Sequence, residues 1–160
     1  MKIKLTDKQE ELIEVFGVIQ EEMGLSPASA RVNALLTVAD DIELTFDEIR
    51  ECLQLSKSAT SNAINNLLML KRIGYKTKPG DRKRYFFSKL GEWKHSFIDS
   101  IEGLTAYNDV IKSILKNRTK NTKEFNEQLK DFTNFLTYYQ KESIKIIKNW
   151  KSYFTFFLDY

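Results

Sequence analysis

The chain has 160 residues, 42% of them hydrophobic, with a formal net charge of +3 at pH 7, one cysteine (Cys52) and one histidine (His95). That length suits one globular domain with a helical extension. It has no run of about twenty apolar residues for a membrane span. Its opening Met1-Lys2-Ile3-Lys4-Leu5-Thr6-Asp7 lacks the apolar core of a signal peptide, and a lone cysteine makes no intrachain disulfide, so an intracellular protein is expected. A Cys-x-x-Cys, a His-x-x-x-His, a glycine-rich phosphate loop and a nucleophile elbow are all missing, which argues against an enzyme and against a metal or other cofactor.

In chain order, Thr6 with Gln9 forms a capping box for a first helix, with Leu12, Phe16, Ile19 and Met23 as its apolar side and closure near Gly24. Ser26 caps a second helix with Pro27 at its first position, where the missing N–H costs nothing. The adjacent carboxylates Glu21-Glu22 and Asp40-Asp41 diverge in direction and read as solvated helix ends. A third, short helix opens at Thr45-Phe46-Asp47-Glu48, again a capping box, and runs through Phe46, Ile49 and Leu53 to a turn at Leu55-Ser56. Cys52 reads as a small, partly buried filler on this helix.

Ser56 caps the fourth helix, predicted from Lys57 to about Arg72. Ala59, Ala63, Ile64, Leu67, Leu68 and Leu70 form its inward stripe. Lys57, Ser58, Thr60, Ser61, Asn62, Asn65 and Asn66 form the other face, small and polar enough to lie in a major groove about 12 Å wide. Gly74 is the expected helix C-cap. Tyr75 to Lys78 and Arg82 to Phe87 then alternate like strands around Lys78-Pro79-Gly80-Asp81, whose Pro-Gly centre fits a type II turn. Helix, turn, longer helix and basic hairpin is the order of a winged helix-turn-helix that binds duplex DNA.

Beyond the hairpin, Trp93, Phe97, Ile101, Leu104, Ile111 and Leu115 mark a long amphipathic helix that breaks at residues 116–121. His95 on it reads as a plain surface residue. The last helix, with Asn121 and Glu124 as its expected cap, carries Phe125, Leu129, Phe132, Leu136, Tyr139, Ser143, Ile146, Trp150, Tyr153 and Phe157 in alternating steps of four and three. This 3.5-residue repeat favours helices lying side by side. At about 1.5 Å per residue the helix is about 50 Å long, more than a small domain buries alone, so a homodimer is expected. Phe125, Leu129, Phe132, Leu136, Tyr139, Ile146, Trp150 and Tyr153 are its candidate interface residues.

Charge is unevenly placed. Residues 1–55 carry five basic and twelve acidic side chains, residues 56–89 nine basic and one acidic, and residues 90–160 eleven basic and nine acidic. The net +8 in the middle segment coincides with the fourth helix and the hairpin, the footprint of counterion release from phosphates.

Four motifs in order carry a family resemblance: Leu25-Ser26-Pro27-Ala28-Ser29-Ala30-Arg31-Val32, Leu44-Thr45-Phe46-Asp47-Glu48-Ile49, Leu55-Ser56-Lys57-Ser58-Ala59-Thr60-Ser61-Asn62-Ala63 and Lys78-Pro79-Gly80-Asp81-Arg82-Lys83-Arg84-Tyr85. Over residues 25–91 the chain resembles the MarR superfamily, and its GbsR-like branch most closely. The resemblance implies a mainly α fold with a small β-hairpin wing, in which residues 25–91 form a winged helix-turn-helix domain and residues 1–24 and 92–160 a helical dimerisation region. It implies a homodimeric transcriptional regulator, more often a repressor, on a palindromic double-stranded operator. Ser56, Lys57, Ser58, Thr60, Ser61, Asn62 and Asn65 would read the major groove, and Lys78, Arg82, Lys83 and Arg84 would serve the wing.

The wing departs from the family pattern: its exit, Phe87-Ser88-Lys89-Leu90-Gly91, arrives about two residues early, and Lys83 stands where arginine would follow Asp81. The minor-groove residue is thus Arg82 or Arg84, with Arg82, nearer the tip, favoured. The GbsR-like branch also points to compatible-solute regulation. Ten aromatic residues between Phe132 and Tyr160 leave room for a box around a quaternary ammonium effector, although half of them lie on the heptad seam and serve packing. The competing reading from another class is a helical protein-interaction module whose winged domain binds protein. Such modules expose apolar or acidic residues where this chain has Lys57, Ser58, Ser61 and Asn62.

Overall fold

The structure, a computed structural model, describes the backbone of residues 3–158 and the side chains of residues 3–150. Its elements are α1 (Asp7–Glu22), α2 (Pro27–Val38), β1 (Leu44–Thr45), α3 (Phe46–Cys52), α4 (Lys57–Met69), β2 (Ile73–Thr77), β3 (Arg84–Ser88), a single 3₁₀ turn at Leu90–Glu92, α5 (Trp93–Asn117) and α6 (Lys123–Leu158). They divide into two compact units, Met1–Gly91 and Glu92–Tyr160. The fold is mainly helical with one small antiparallel sheet, as the residue pattern predicts.

Side-chain caps start the helices of the first unit. Thr6 and Gln9 close one reciprocal capping box and Thr45 and Glu48 another, while Ser26 and Ser56 accept from Ser29 and Ala59 backbone N–H groups. The ends of α1, α3 and α4 share one device. Beyond α1, the Leu25 and Gly24 N–H groups bond back to the Gln20 and Glu21 carbonyls. Leu55 and Gln54 do the same to Arg50 and Glu51 beyond α3, and Arg72 and Lys71 to Leu67 and Leu68 beyond α4. This is the Schellman arrangement, which needs a left-handed residue just past the helix. Gly24 supplies it at φ 97°, whereas Gln54 and Lys71 adopt it at φ 50° and 56° despite their Cβ atoms.

Gly74 is therefore not the cap of α4. It lies in β2, where the Phe87 ring crosses its backbone so closely that a Cβ would meet Cζ at 2.7 Å. Leu70, expected in the inward stripe, is the C-cap and largely exposed.

The hairpin belongs to a three-stranded sheet of order β1-β3-β2. Leu44 pairs with Phe86 and Thr45 with Tyr85, and β2 pairs along β3 from Ile73 opposite Ser88 to Thr77 opposite Arg84. The two-residue β1 is too short to show an alternation and was not predicted. The core beneath the sheet joins Leu35, Leu44, Ile49, Ile64, Leu67, Ile73 and Phe86, all essentially inaccessible. It welds α2, α3 and α4 to the root of the wing, which fixes α4 relative to the hairpin.

The inner face of α1 differs from its expected one. Ile13, Gly17 and Gln20 are buried and Phe16 half-buried, whereas Leu12, Ile19 and Met23 are exposed together with Val15 and Val18. A polar seam with α2 is the cause. Arg31 spans from Glu14 to Glu21 across Gly17, where a Cβ would lie 2.5 Å from its Cδ, and Asn33 donates to the buried Gln20. Small and polar residues make the contact, so hydrophobicity marks the opposite face.

In the second unit α5 and α6 pack as a helical pair. α6 begins at Lys123, and Arg118 organises the turn before it by donating to Asn126 Oδ1 at 2.8 Å and Thr122 Oγ1 at 2.9 Å, so Asn121 is not the cap. The heptad seam splits between two directions. Leu136, with Thr133, is buried against α5, and Leu129 and Ser143 are half-buried. Phe125, Phe132, Tyr139 and Ile146, spaced by seven, remain 48%, 41%, 42% and 66% exposed. Leu136 is thus core of the α5–α6 pair. Trp150 meets Trp93 edge to face at 5.9 Å, while Tyr153 and Phe157 lie outside the residues whose side chains are described.

Candidate nucleic-acid interface

In the first unit, residues 56–89, which span α4 and the hairpin, carry nine of the fourteen basic side chains. On α4, Ser56, Lys57, Ser58, Asn62 and Asn65 are exposed and Ser61 and Asn66 half-exposed, all polar and none bulky. Thr60, expected on this face, is buried, and its Oγ1 donates to the Ser56 carbonyl at 2.9 Å. It is buried among apolar neighbours on the helix's inner side, Ala63, Ile64 and Leu67, and the hydroxyl bonds back along its own helix. Ser56 and Ser58 hydroxyls lie 3.1 Å apart while Ser56 also caps the helix, so the first turn arrives ordered.

The wing tip is held by local chemistry. Asp81 N–H donates to the Lys78 carbonyl at 3.1 Å and Gly80 has φ 79°, the geometry of the predicted type II turn. Asp81 accepts the Tyr85 hydroxyl at 2.6 Å and the Lys83 N–H at 2.9 Å. The Tyr85 hydrogen bond, with that of Lys83, holds the Asp81 carboxyl below its usual range, and the same bond pushes the Tyr85 phenol up.

The wing cations differ in their surroundings. Lys78 Nζ lies over the Tyr85 ring, 3.8 Å from its centroid, and pairs with Glu43 Oε1 at 2.9 Å. Lys76 Nζ pairs with Glu43 Oε2 at 2.7 Å. The ion pairs with Lys76 and then Lys78 lower the Glu43 pKa, so the carboxylate is charged throughout the neutral range. Arg84 stacks on the opposite side of the sheet, 5.2 Å from the Tyr75 ring centroid and 5.5 Å from that of Phe86. Arg82 and Lys83 are exposed, and the Arg82 guanidinium makes no hydrogen bond or ion pair among the described residues. Arg82 precedes β3 in the loop, whereas Arg84 opens the strand.

Glu43, Lys76 and Tyr85 were not singled out from the sequence. Their signal is weak: one acid just upstream of a basic block, and a tyrosine four residues after an aspartate. Cys52 is half-buried, and burial pushes its thiol up, as suits an unreactive filler. His95 is exposed on α5. Among the described residues no cluster of His, Cys, Asp and Glu could hold a metal ion, and no helix is long and apolar enough to cross a membrane.

No family model matches the chain, and no curated protein matches it. Among solved structures, the crystal structure of a transcriptional regulator aligns over 91% of this chain and 99% of its own, with a TM-score of 0.75 at 18% identity. The chain shares its winged-helix fold. Two further matches are more distant in shape. A crystal structure of the S. aureus MepR–DNA complex covers 81% of this chain and 91% of its own at 21% identity with a TM-score of 0.39. A MarR protein from Peptoclostridium difficile covers 91% and 97% at 16% identity with a TM-score of 0.40.

Proposed function

We propose that this winged-helix chain is a sequence-specific DNA-binding transcriptional regulator, acting in the cytoplasm as a homodimer and most simply as a repressor on a palindromic operator. The observation that carries the reading is the exposed polar face of α4 on the same core as a hairpin whose tip offers the exposed side chains of Arg82 and Lys83, neither of which forms a side-chain hydrogen bond or close ion pair among the described residues. Lys57, Ser58, Ser61, Asn62 and Asn65 have the donors and acceptors that distinguish base edges. Arg82 suits a narrow minor groove, where negative potential is enhanced. Lys83 supplies phosphate contact, whereas Arg84 is engaged by aromatic rings.

The dimer follows from exposed apolar surface. Phe125, Phe132, Tyr139 and Ile146 form one outward row on α6, with Tyr107 edge to face with Phe132 at 6.3 Å. The stripe Leu12, Val15, Ile19 and Met23 on α1 is a second such surface. A second copy covering either surface would pair the chains, and two α4 helices enter successive major grooves when a dimer holds them about 34 Å apart. In this proposal residues 25–91 carry the DNA contacts, and residues 1–24 and 92–160 the dimer contacts. The α6 aromatics serve that packing. The sequence motifs favour the GbsR-like branch.

The test is an electrophoretic mobility shift on the duplex upstream of the chain's own gene. Arg82→Ala is expected to weaken operator binding by about 1–3 kcal/mol. A variant with unchanged affinity would remove the wing tip from the contact surface.

A further inference from the structure

The wing carries a carboxylate where a DNA-binding surface would be expected to carry none. Glu43 belongs to the acidic first third of the chain, immediately before β1, yet its two oxygens lie 2.7 Å from Lys76 Nζ and 2.9 Å from Lys78 Nζ. The register explains the reach. Thr45, Tyr85 and Lys76 are opposite one another across β1, β3 and β2, and Glu43, two residues before Thr45, lies on that same face. Its side chain is only 21% exposed, against 53% and 45% for the two lysines, so the acid lies beneath the cations. Two ammonium groups converging on two anionic oxygens is the arrangement a backbone phosphate would make with the same lysines.

We propose that Glu43 is an internal phosphate mimic that occupies Lys76 and Lys78 and so limits non-specific binding to DNA. This rests on the DNA-binding reading above. Counterion release makes each lysine that engages phosphate contribute affinity without sequence information. With Glu43 in place, two wing cations are withheld from that contribution, and Arg82 and Lys83 are left to contact the duplex. Discrimination then depends on the polar face of α4. The device is local: Asp81, the other acid of the wing, is occupied by the Tyr85 hydroxyl and the Lys83 N–H.

Binding to a random-sequence duplex, followed by fluorescence anisotropy across a salt series, tests this. Glu43→Gln should tighten random-duplex binding about ten-fold near 0.1 M salt and steepen the slope of log K against log salt by about 1–2, as one or two further phosphates are engaged. Lys76→Met with Lys78→Met, Glu43 retained, should weaken random-duplex binding several-fold less than Arg82→Met with Lys83→Met, an equal change of charge, because the first two lysines are already engaged by Glu43. Adding Glu43→Gln to the Lys76, Lys78 pair should regain clearly less than Glu43→Gln gains in the wild-type chain, closing a thermodynamic cycle that separates release of the lysines from simple loss of a negative charge. Three results would overturn the proposal: no gain with Glu43→Gln, an equal gain without the lysines, or a loss from the Lys76, Lys78 pair as large as that from Arg82 and Lys83. The lysine pair decides the matter even if Glu43→Gln destabilises the wing. Wild-type chain that binds no duplex at all would instead remove the DNA-binding reading and this proposal with it.

Discussion

Thr60 and Asn62 stand two positions apart on α4 and should respond in opposite ways to substitution. The Thr60 hydroxyl is buried on the Ser56 carbonyl. Thr60→Val should therefore lower unfolding stability by about 1 kcal/mol, the usual net value of such a bond, and leave discrimination between operator and random DNA unchanged. Asn62 is exposed. Asn62→Ala should keep stability within about 0.5 kcal/mol while reducing that discrimination, because its amide would read base edges and the basic residues would hold phosphate. Paired thermal melts and titrations check both, and equal loss on the two DNAs for Asn62→Ala would show that it specifies nothing. A pH effect belongs to the same scale. The Tyr85 hydroxyl and then the Lys83 N–H depress the Asp81 carboxyl, so the stability it lends the tip is present above the ordinary aspartate value of about 3.9 and is lost as pH falls through the lower folded value. In Tyr85→Phe the midpoint followed by the Lys83 amide resonance should move up toward 3.9, and an unmoved midpoint would show that the hydroxyl does not set it.

At the scale of elements, the starts of helices were legible in the sequence and their inner faces were less so. Capping requires a particular side chain at a particular offset, so Thr6-Gln9, Ser26, Thr45-Glu48 and Ser56 announce their helices. The packed face of α1 depends instead on Gly17, Gln20 and Arg31 meeting α2, and a period of hydrophobic residues pointed to the outward side. Glycine misled similarly: Gly74 looked like a cap but makes room for Phe87, while Lys71 and Gln54 take the left-handed positions. Because a Cβ costs about 1–2 kcal/mol in that conformation, partly offset by the greater freedom of unfolded glycine, Gln54→Gly should stabilise the chain by about 0.5–1 kcal/mol. Denaturant unfolding measures this, and a destabilised variant would mean that Gln54 makes contacts worth more than its backbone strain. In the candidate DNA surface, the exposed polar face of α4 was legible because small polar residues on one helical face are unusual. The Glu43 brace was not, since it depends on the third strand.

For the whole molecule, the 3.5-residue repeat of α6 correctly marked a packed helix but merged two faces. Leu136 faces α5 within the chain, and the row Phe125, Phe132, Tyr139, Ile146 faces outward. Leu136→Ala should then cost about 2–5 kcal/mol of stability as a core truncation. Phe132→Glu should leave the α5–α6 pair folded and yield a monomer in sedimentation velocity, because pairing would bury unpaired charge. A Phe132→Glu chain that still sediments as a dimer would place the dimer contact elsewhere. Whether α4 and the wing read duplex DNA is decided by titrating the wild-type chain on its own upstream duplex and on a random duplex of equal length. At physiological salt the upstream duplex should bind at least about a thousand-fold more tightly, with both affinities falling linearly in log K against log salt. Equal affinity for the two duplexes, or no binding to either, would contradict the DNA-reading role of α4 and the wing.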